Sequence, residues 1–133
     1  MDIKLFYQEK GSGEPFLFLH GNGEDRSYFR HQIEYFSVRY RVMALDTRGH
    51  GRSPRGGAPF TIEQFSCDLY EFMREHGVSR AVLLGFSDGA NIAMKFAMKH
   101  PDMVRVLILN GGNLDAKGVK RTTQLPIEIG YRI

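Results

Sequence analysis

The residue with the clearest chemical potential is Ser87, which stands in the segment Gly-Phe-Ser-Asp-Gly at positions 85–89. An apolar strand is predicted before it and a helix after it, which places the serine at a sharp strand-to-helix turn. Such a turn needs small residues two positions before and two after the serine, and glycine meets that need. The hydroxyl then lies at a helix N-terminus, where the helix dipole stabilises negative charge. The pattern therefore favours a serine nucleophile over an ordinary glycine-containing loop.

A second glycine-rich loop follows an earlier predicted strand and reads His20-Gly21-Asn22-Gly23. Its backbone can approach a substrate closely, and we expect the backbone amides of Asn22 and Asp88 to form an oxyanion hole. His20, Gly21 and Gly23 are the candidate binding residues of this loop. His20 is more typical of a hydrogen-bonded residue at a strand end than of a general base.

Hydrophobic periodicity predicts alternating strands and helices around these loops. Strands are expected over 2–8, 15–20, 40–45, 80–86 and 104–110, and helices over 26–36, 61–77 and 90–99. Ser27 is the expected N-cap of the first helix, and Thr61 and Gln64 have the spacing of a capping box before the second. This order predicts an α/β fold with three layers, in which a mostly parallel sheet lies between helices. Ligands of such sheets bind at the carboxyl ends of the strands, where most of the glycines fall.

Composition narrows the class of protein. The 133 residues, 42% hydrophobic and 25% charged, suffice for one folded core. The 18 basic residues are interleaved with 15 acidic ones, so we expect no nucleic-acid partner. We expect no membrane span, because the longest apolar runs have four residues. The absence of a signal-like N-terminus and the single cysteine, Cys67, predict a cytoplasmic location. Neither the histidine spacing nor the glycine loops suggest a metal or cofactor.

Three motifs together resemble the α/β-hydrolase fold family: the loop at 20–23, the segment Asp-Thr-Arg-Gly-His-Gly-Arg-Ser at 46–53, and the turn at 85–89. The resemblance covers residues 1–114 and implies a serine hydrolase acting on a small ester, lactone, amide or similar acyl substrate. It implies Ser87 as nucleophile and the Asn22 and Asp88 amides as oxyanion donors. It also implies that the loop at 46–53 is mainly structural. The family's epoxide hydrolases and dehalogenases carry aspartate where this chain has serine.

The acid and base that a serine nucleophile needs are harder to place. In this fold the acid and then the histidine follow the serine in the chain. His100 is the only later histidine, and the predicted helix carries it about 15 Å away. Asp115 is the candidate acid. Because the resemblance implies two further strands before the usual acid and histidine, we predict a truncated fold that lacks its last strands. Residues 1–114 would be the N-terminal part of the core and 115–133 the start of a cap or connecting segment, with little or no turnover by this chain alone.

The strand over 104–110 would then form an exposed apolar edge, which invites pairing with another chain. The alternative function is therefore a noncatalytic binding or assembly domain that self-associates through this strand as a homodimer or higher oligomer. A third possibility is that another subunit supplies the histidine.

Overall fold

The apolar runs of the sequence form one six-stranded sheet in a computed structural model, which describes residues 1–111 and the backbone of residues 128–131. The strand order is β1-β3-β2-β4-β5-β6, with β1 antiparallel to β3 and all other pairs parallel. This confirms the α/β class with a mostly parallel sheet. The elements are β1 (Tyr7–Lys10), β2 (Glu14–Leu19), a 3₁₀ turn (Arg26–Phe29), α1 (Arg30–Phe36), β3 (Tyr40–Leu45), α2 (Ile62–Glu75), β4 (Ala81–Phe86), α3 (Asp88–Lys99), a second 3₁₀ turn (Pro101–Met103), β5 (Val104–Asn110) and β6 (Glu128–Tyr131).

The direction of each connection decides which face of the sheet its helix covers. The connection from β2 to β3 runs towards one edge of the sheet, whereas those from β3 to β4 and from β4 to β5 run towards the other. Because parallel crossovers are right-handed, opposite directions place helices on opposite faces. Accordingly α1 packs on one face, and α2 and α3 pack on the other.

Strand β2 shows how the sequence fills both faces. Leu17 and Leu19 lie in the core beneath α2 and α3, whereas Phe16 and Phe18 pack in the core beneath α1. The alternation follows from the two-residue period of a strand. All four side chains are at most 2% exposed, and each buried side chain of this size stabilises the fold by roughly 1.5–3 kcal/mol.

Two predicted element boundaries at the N-terminal end are wrong. The first strand begins at Tyr7 rather than at residue 2, because Asp2 and Phe6 bond to the loop after β3 instead. The cap of the first helical segment is Asp25, whose side chain accepts the backbone N–H of Ser27. Ser27 is therefore not the N-cap.

The expectation that β5 forms an exposed edge is also wrong. Strand β6, which no sequence pattern predicted, pairs parallel with β5 from Val106↔Glu128 to Leu109↔Tyr131. Residues 128–131 thus join the core sheet, while the division of the chain at residue 114 stays a prediction. Self-association also stays a prediction, and sedimentation velocity tests it, but its original basis, an unpaired β5, is removed.

Within the described ranges, the longest helix has 14 residues. None of the helices there is both long and apolar enough to cross a bilayer.

Candidate active site

Three loops meet at one edge of the sheet because the parallel strands β2, β3 and β4 end there. His20 and Gly21 follow β2, Asp46 and Thr47 follow β3, and Ser87 follows β4. The parallel registers align Leu19 with Leu45 and with Gly85 and thereby bring the ends together. The fold thus gathers the three sequence motifs at the edge where they were expected.

The backbone of Ser87 has an unusual conformation. Its φ of 56° and ψ of −116° lie in a region that side chains other than glycine rarely adopt, at a cost of about 1–3 kcal/mol. No other non-glycine residue in the described part of the chain has a positive φ. The Ser87 N–H donates to the Asn110 carbonyl at 2.8 Å, and the Ser87 carbonyl accepts the Ala90 N–H at 2.9 Å. These bonds to β5 and α3 hold the strained turn.

Gly85 and Gly89 are required because backbone passes where a side chain would begin. A β carbon on Gly85 would lie 2.3 Å from the Gly89 carbonyl oxygen, and one on Gly89 would lie 2.0 Å from the Leu19 carbonyl oxygen. Both distances are far inside van der Waals contact. The tight turn at Ser87 therefore closes only with glycine on both sides.

We expect Gly89→Ala to lower the free energy of unfolding by about 3 kcal/mol, because the new methyl group must displace the backbone of β2. Urea unfolding checks this. Gly57→Ala is the matched control, since a β carbon there meets no atom within 4 Å and should change stability by no more than about 0.5 kcal/mol. Equal effects of the two substitutions would contradict the close packing at Gly89.

The first glycine-rich loop lies directly against Ser87. A β carbon built on Gly21 would lie 3.2 Å from Ser87 Cβ and 2.8 Å from Glu24 Oε1. The Glu24 carboxylate accepts the Gly21 N–H at 3.0 Å, and the Glu24 N–H donates to the Gly21 carbonyl at 3.2 Å. Glu24 therefore closes this loop beside the serine. Sequence reasoning missed this residue, although an acid three positions after a turn glycine was an available signal.

The amide of Asn22 has no hydrogen-bond acceptor among the described residues, in contrast to the Gly21 amide. Asp88 is the first residue of α3, so its N–H has no acceptor within the helix. Neither of the two amides that the sequence singled out thus has an acceptor in the described part of the chain; Asp88 directly follows Ser87, and Asn22 directly follows Gly21, which lies against Ser87. Gly23 is exposed and has open space around it.

His20 is buried and bonded through both ring nitrogens. Nδ1 donates to the Gly21 carbonyl at 2.7 Å, and Nε2 accepts the Thr47 N–H at 3.1 Å, which assigns the neutral Nδ1–H tautomer. Burial lowers the pKa of His20, and the nearby His50 lowers it further, while the hydrogen bond to Gly21 acts in the opposite direction. His20 therefore has the strand-end bonding expected of it and no free nitrogen for base catalysis.

Stability should depend on the protonation of His20. Its pKa in the folded state lies below the ordinary value of 6.5, so the unfolded chain takes up the proton at higher pH. The contribution is fully present above about pH 6.5 and is lost as the pH falls towards the folded-state pKa. We expect urea unfolding to show declining stability between about pH 7.5 and about pH 5, and His20→Asn to flatten this slope.

His100 adds a separate share to that slope, because burial and the adjacent Lys99 lower its pKa as well. His100→Gln should therefore remove a second, independent part of the pH dependence. A wild-type slope that neither substitution alters would contradict both assignments.

Arg48 braces the loop after β3 from inside the protein. It is fully buried and donates to both oxygens of Asp68 at 2.9 and 2.8 Å and to both oxygens of Asp2 at 3.1 and 2.7 Å. The fifth guanidinium N–H donates to the Arg55 carbonyl at 3.1 Å, so every donor has an acceptor. The Arg48 guanidinium holds the pKa of the Asp2 carboxyl well below its usual range.

Asp46 has a similar bracing role in the same loop. Its buried carboxylate accepts the Arg52 N–H at 2.9 Å and both the backbone N–H and Nη1 of Arg26 at 2.8 Å. The hydrogen bonds of Arg48 and Asp46 therefore stabilise this loop.

Asp115 and His100 are the two residues after Ser87 that were considered from the sequence for the acid and the histidine. Asp115 falls outside the described residues. His100 follows the last residue of α3, whereas Ser87 precedes the first, and 12 helical residues separate them by about 18 Å. The His100 ring stacks on Tyr70 at 4.4 Å. His100 therefore cannot reach the serine, as predicted.

In the part of the chain that the structure describes, no group of three or more histidine, cysteine or acidic side chains is arranged to hold a metal ion.

Comparison with known proteins identifies the family. The model of the alpha/beta hydrolase fold matches residues 14–126, and the chain belongs to that family. This confirms the resemblance inferred from the three sequence motifs.

Similar proteins include hydrolases of several kinds. The chain is 33% identical to a putative carbamate hydrolase RutD of Azorhizobium caulinodans, covering 90% of this chain and 45% of that protein. It is 34% identical to an epoxide hydrolase 3 of Siraitia grosvenorii, covering 98% of this chain and 41% of that protein. A solved structure of a marine microorganism esterase superposes with a TM-score of 0.79 at 31% identity, covering 92% of this chain and 48% of that one. The chain thus spans less than half the length of these relatives.

Proposed function

We propose that this chain supplies the nucleophile and the oxyanion-binding loop of a serine hydrolase acting on a small ester, lactone, amide or similar acyl compound. The observation that carries the proposal is the strained turn at Ser87, which lies at the N-terminus of α3 and against the Gly21 loop. A half-buried serine in this position is set apart from serines in ordinary turns by its backbone conformation. We further propose a cytoplasmic location, in keeping with a single cysteine.

In the proposed reaction the Ser87 Oγ attacks the acyl carbonyl carbon, and its proton passes to a base. The carbonyl oxygen becomes an oxyanion that accepts hydrogen bonds from the Asn22 and Asp88 amides. Collapse of this intermediate breaks the bond to the alcohol or amine, which leaves with a proton. Water then attacks the acyl-serine ester, which releases the acid and restores the hydroxyl.

In the proposed reaction, the general base that accepts the Ser87 proton is not one of the histidines of this chain. His20 has both ring nitrogens hydrogen-bonded, and His100 lies at the far end of α3 from Ser87. His76 follows the last residue of α2, and its Nδ1 lies 2.8 Å from the Phe72 carbonyl. His31 lies on α1, at the opposite face from α3, and His50 is held between two loops. Asp115 remains the proposed acid. We therefore propose that Ser87 in this chain turns over slowly or not at all unless a base is added.

Chemical rescue tests the proposal. The chain is incubated with p-nitrophenyl acetate, with and without imidazole as external base, and the acetyl adduct is located by peptide mass spectrometry. We expect acetylation concentrated on Ser87 and accelerated by imidazole. Acetylation spread evenly over other serines and lysines, or a Ser87 rate no higher than that of the exposed Ser79, would overturn the proposal.

A further inference from the structure

A chain of hydrogen bonds leads from the Gly21 carbonyl through three side chains to the side chain of the next residue, Asn22. His20 Nδ1 donates to the Gly21 carbonyl, and His20 Nε2 accepts from Thr47. The Thr47 hydroxyl lies 3.1 Å from His50 Nδ1, and His50 Nε2 lies 3.3 Å from Asn22 Oδ1. The two ends of the network therefore contact adjacent residues of the loop beside Ser87.

The carbonyl end of this network acts directly on the amide that the proposed reaction uses. The Gly21 carbonyl and the Asn22 N–H belong to the same planar peptide, in which they point in opposite directions. A donor that fixes the carbonyl therefore also fixes the direction of the N–H. The Glu24 N–H donates to the same carbonyl at 3.2 Å, so two donors hold this side of the peptide.

The other end of the network starts from a ring that is fixed independently of Asn22. The His50 ring stacks on Phe60 at 5.8 Å with an angle of 18° and meets the edge of the Phe65 ring at 6.3 Å. With Nε2 donating to Asn22, its Nδ1 accepts the Thr47 hydroxyl at 3.1 Å, in the loop that the buried guanidinium braces. His50 is thus a rigid anchor in the loop after β3.

The Asn22 side of the loop has little other support. Asn22 and Gly23 are both exposed, and a β carbon on Gly23 would meet no atom within 4 Å. The contact with His50 is the one side-chain bond that the described residues give to Asn22. Without it, the Gly21–Asn22 peptide would be held only through the two donors to the Gly21 carbonyl.

We propose that His50, acting with His20 through Thr47, is a positioning residue that orients the Asn22 backbone amide towards the oxyanion. This inference rests on the proposed function, because the direction of that amide matters chemically only if Ser87 forms an acyl intermediate. His50 touches no reacting atom. Its effect falls on the rate of acyl transfer rather than on substrate binding, since the amide donates its bond chiefly in the transition state.

The test compares His50→Ala with His50→Gln, whose side-chain amide retains an N–H donor for Asn22. Imidazole-assisted acetylation of Ser87 is measured over a range of p-nitrophenyl acetate concentrations. We expect His50→Ala to lower the maximal rate roughly 10- to 100-fold, less than removal of a whole oxyanion donor, with the half-saturating concentration unchanged. His50→Gln should recover most of the rate, and His31→Ala on α1 should match the wild type.

Asn22→Ala provides the second half of the cycle, because it keeps the backbone amide and removes only the anchored side chain. We expect Asn22→Ala, His50→Ala and the double variant to show the same loss, since each breaks the same contact. Additive losses, or failure of His50→Gln to recover the rate, would overturn the positioning role.

Nuclear magnetic resonance of the ¹⁵N-labelled chain separates this inference from the proposed function. We expect the Asn22 and Gly23 amides to become more mobile in His50→Ala and to return to wild-type order in His50→Gln. If the wild type shows no acetylation of Ser87, the proposed function fails, and these amide signals still decide whether His50 positions the loop. Unchanged amide order in His50→Ala would overturn the inference whatever the chemistry.

Discussion

Ser87→Ala is expected to abolish imidazole-assisted acetylation at position 87 and to leave only the slow background on other side chains. The hydroxyl oxygen is the atom that forms the acyl bond in the proposed reaction, and alanine has no oxygen in its place. The release of p-nitrophenol should therefore fall to the rate of the slow background on other side chains. Peptide mass spectrometry and p-nitrophenol release measure the two quantities together.

The substitution also separates chemistry from conformation. Alanine keeps the β carbon and hence the strain of φ 56°, so Ser87→Ala should unfold at nearly the wild-type urea concentration. Ser87→Gly should be more stable than Ser87→Ala by about 1 kcal/mol, because glycine adopts a positive φ without steric cost. Ser79→Ala, at an exposed serine before β4, is the control for both measurements. The assignment would be contradicted if Ser87→Ala released p-nitrophenol as fast as the wild type does, or if Ser87→Gly were less stable than Ser87→Ala.

Arg48→Met is expected to cause the largest loss of stability, about 3–5 kcal/mol, as found when one partner of a buried ion pair is removed. Methionine fills much of the space of the arginine stem but leaves the carboxylate of Asp68 buried with a side-chain exposure of 3%. Asp2 loses its partner as well, but its side chain is 41% exposed, so water compensates it. The cost therefore comes mainly from Asp68, and urea unfolding measures it.

An exposed ion pair supplies the control. Arg41 and Glu9 contact at 2.9 Å, with side chains 30% and 35% exposed, and Arg41→Met should cost less than about 1 kcal/mol. The double substitution Arg48→Met with Asp68→Leu should recover a large part of the loss, because it removes the unpaired charge. If the double variant is less stable than Arg48→Met alone, the destabilisation does not arise from the buried carboxylate.

Loss of the Arg48 cluster should also affect the loops around Ser87. The loop that Arg48 braces carries Thr47 and His50, which connect to the Gly21–Asn22 peptide. Stability and loop order are therefore linked in this molecule through one segment of chain.

Local patterns sufficed for most of the sheet. The runs Tyr40–Leu45 and Val104–Asn110 are strands with the expected ends, because a buried parallel strand is apolar on both faces and is bounded by polar or glycine residues. Thr61 caps α2 by accepting the Gln64 N–H at 3.1 Å, as its spacing predicted, while the Gln64 side chain donates to Asp68 at 2.9 Å instead of completing a capping box. Residues close together in the chain decide such features, so the features can be predicted from the sequence.

Features that depend on distant partners were not visible in this way. Strand β6 is a four-residue segment without a distinctive period, and only its pairing with β5 makes it a strand. The shift of β1 to Tyr7 likewise follows from Asp2, which is held by Arg48 46 positions away. Partners so far apart along the chain leave no periodic signal in either segment.

The candidate active site likewise combines features set by local residues with features set by distant partners. The sequence by itself determined the turn at Ser87. The backbone at position 89 lies so close to β2 that only glycine fits there, and the glycines at 85 and 89 are visible in the sequence. It also determined that the two glycine-rich loops lie at one edge, since parallel strands end together. Only the tertiary structure decided that Glu24 occupies the Gly21 amide, that the Asn22 amide is free, and that His20, Thr47 and His50 connect the loops. Hydrogen-bond partners are chosen by distance and angle in space, and residue spacing along the chain does not record them.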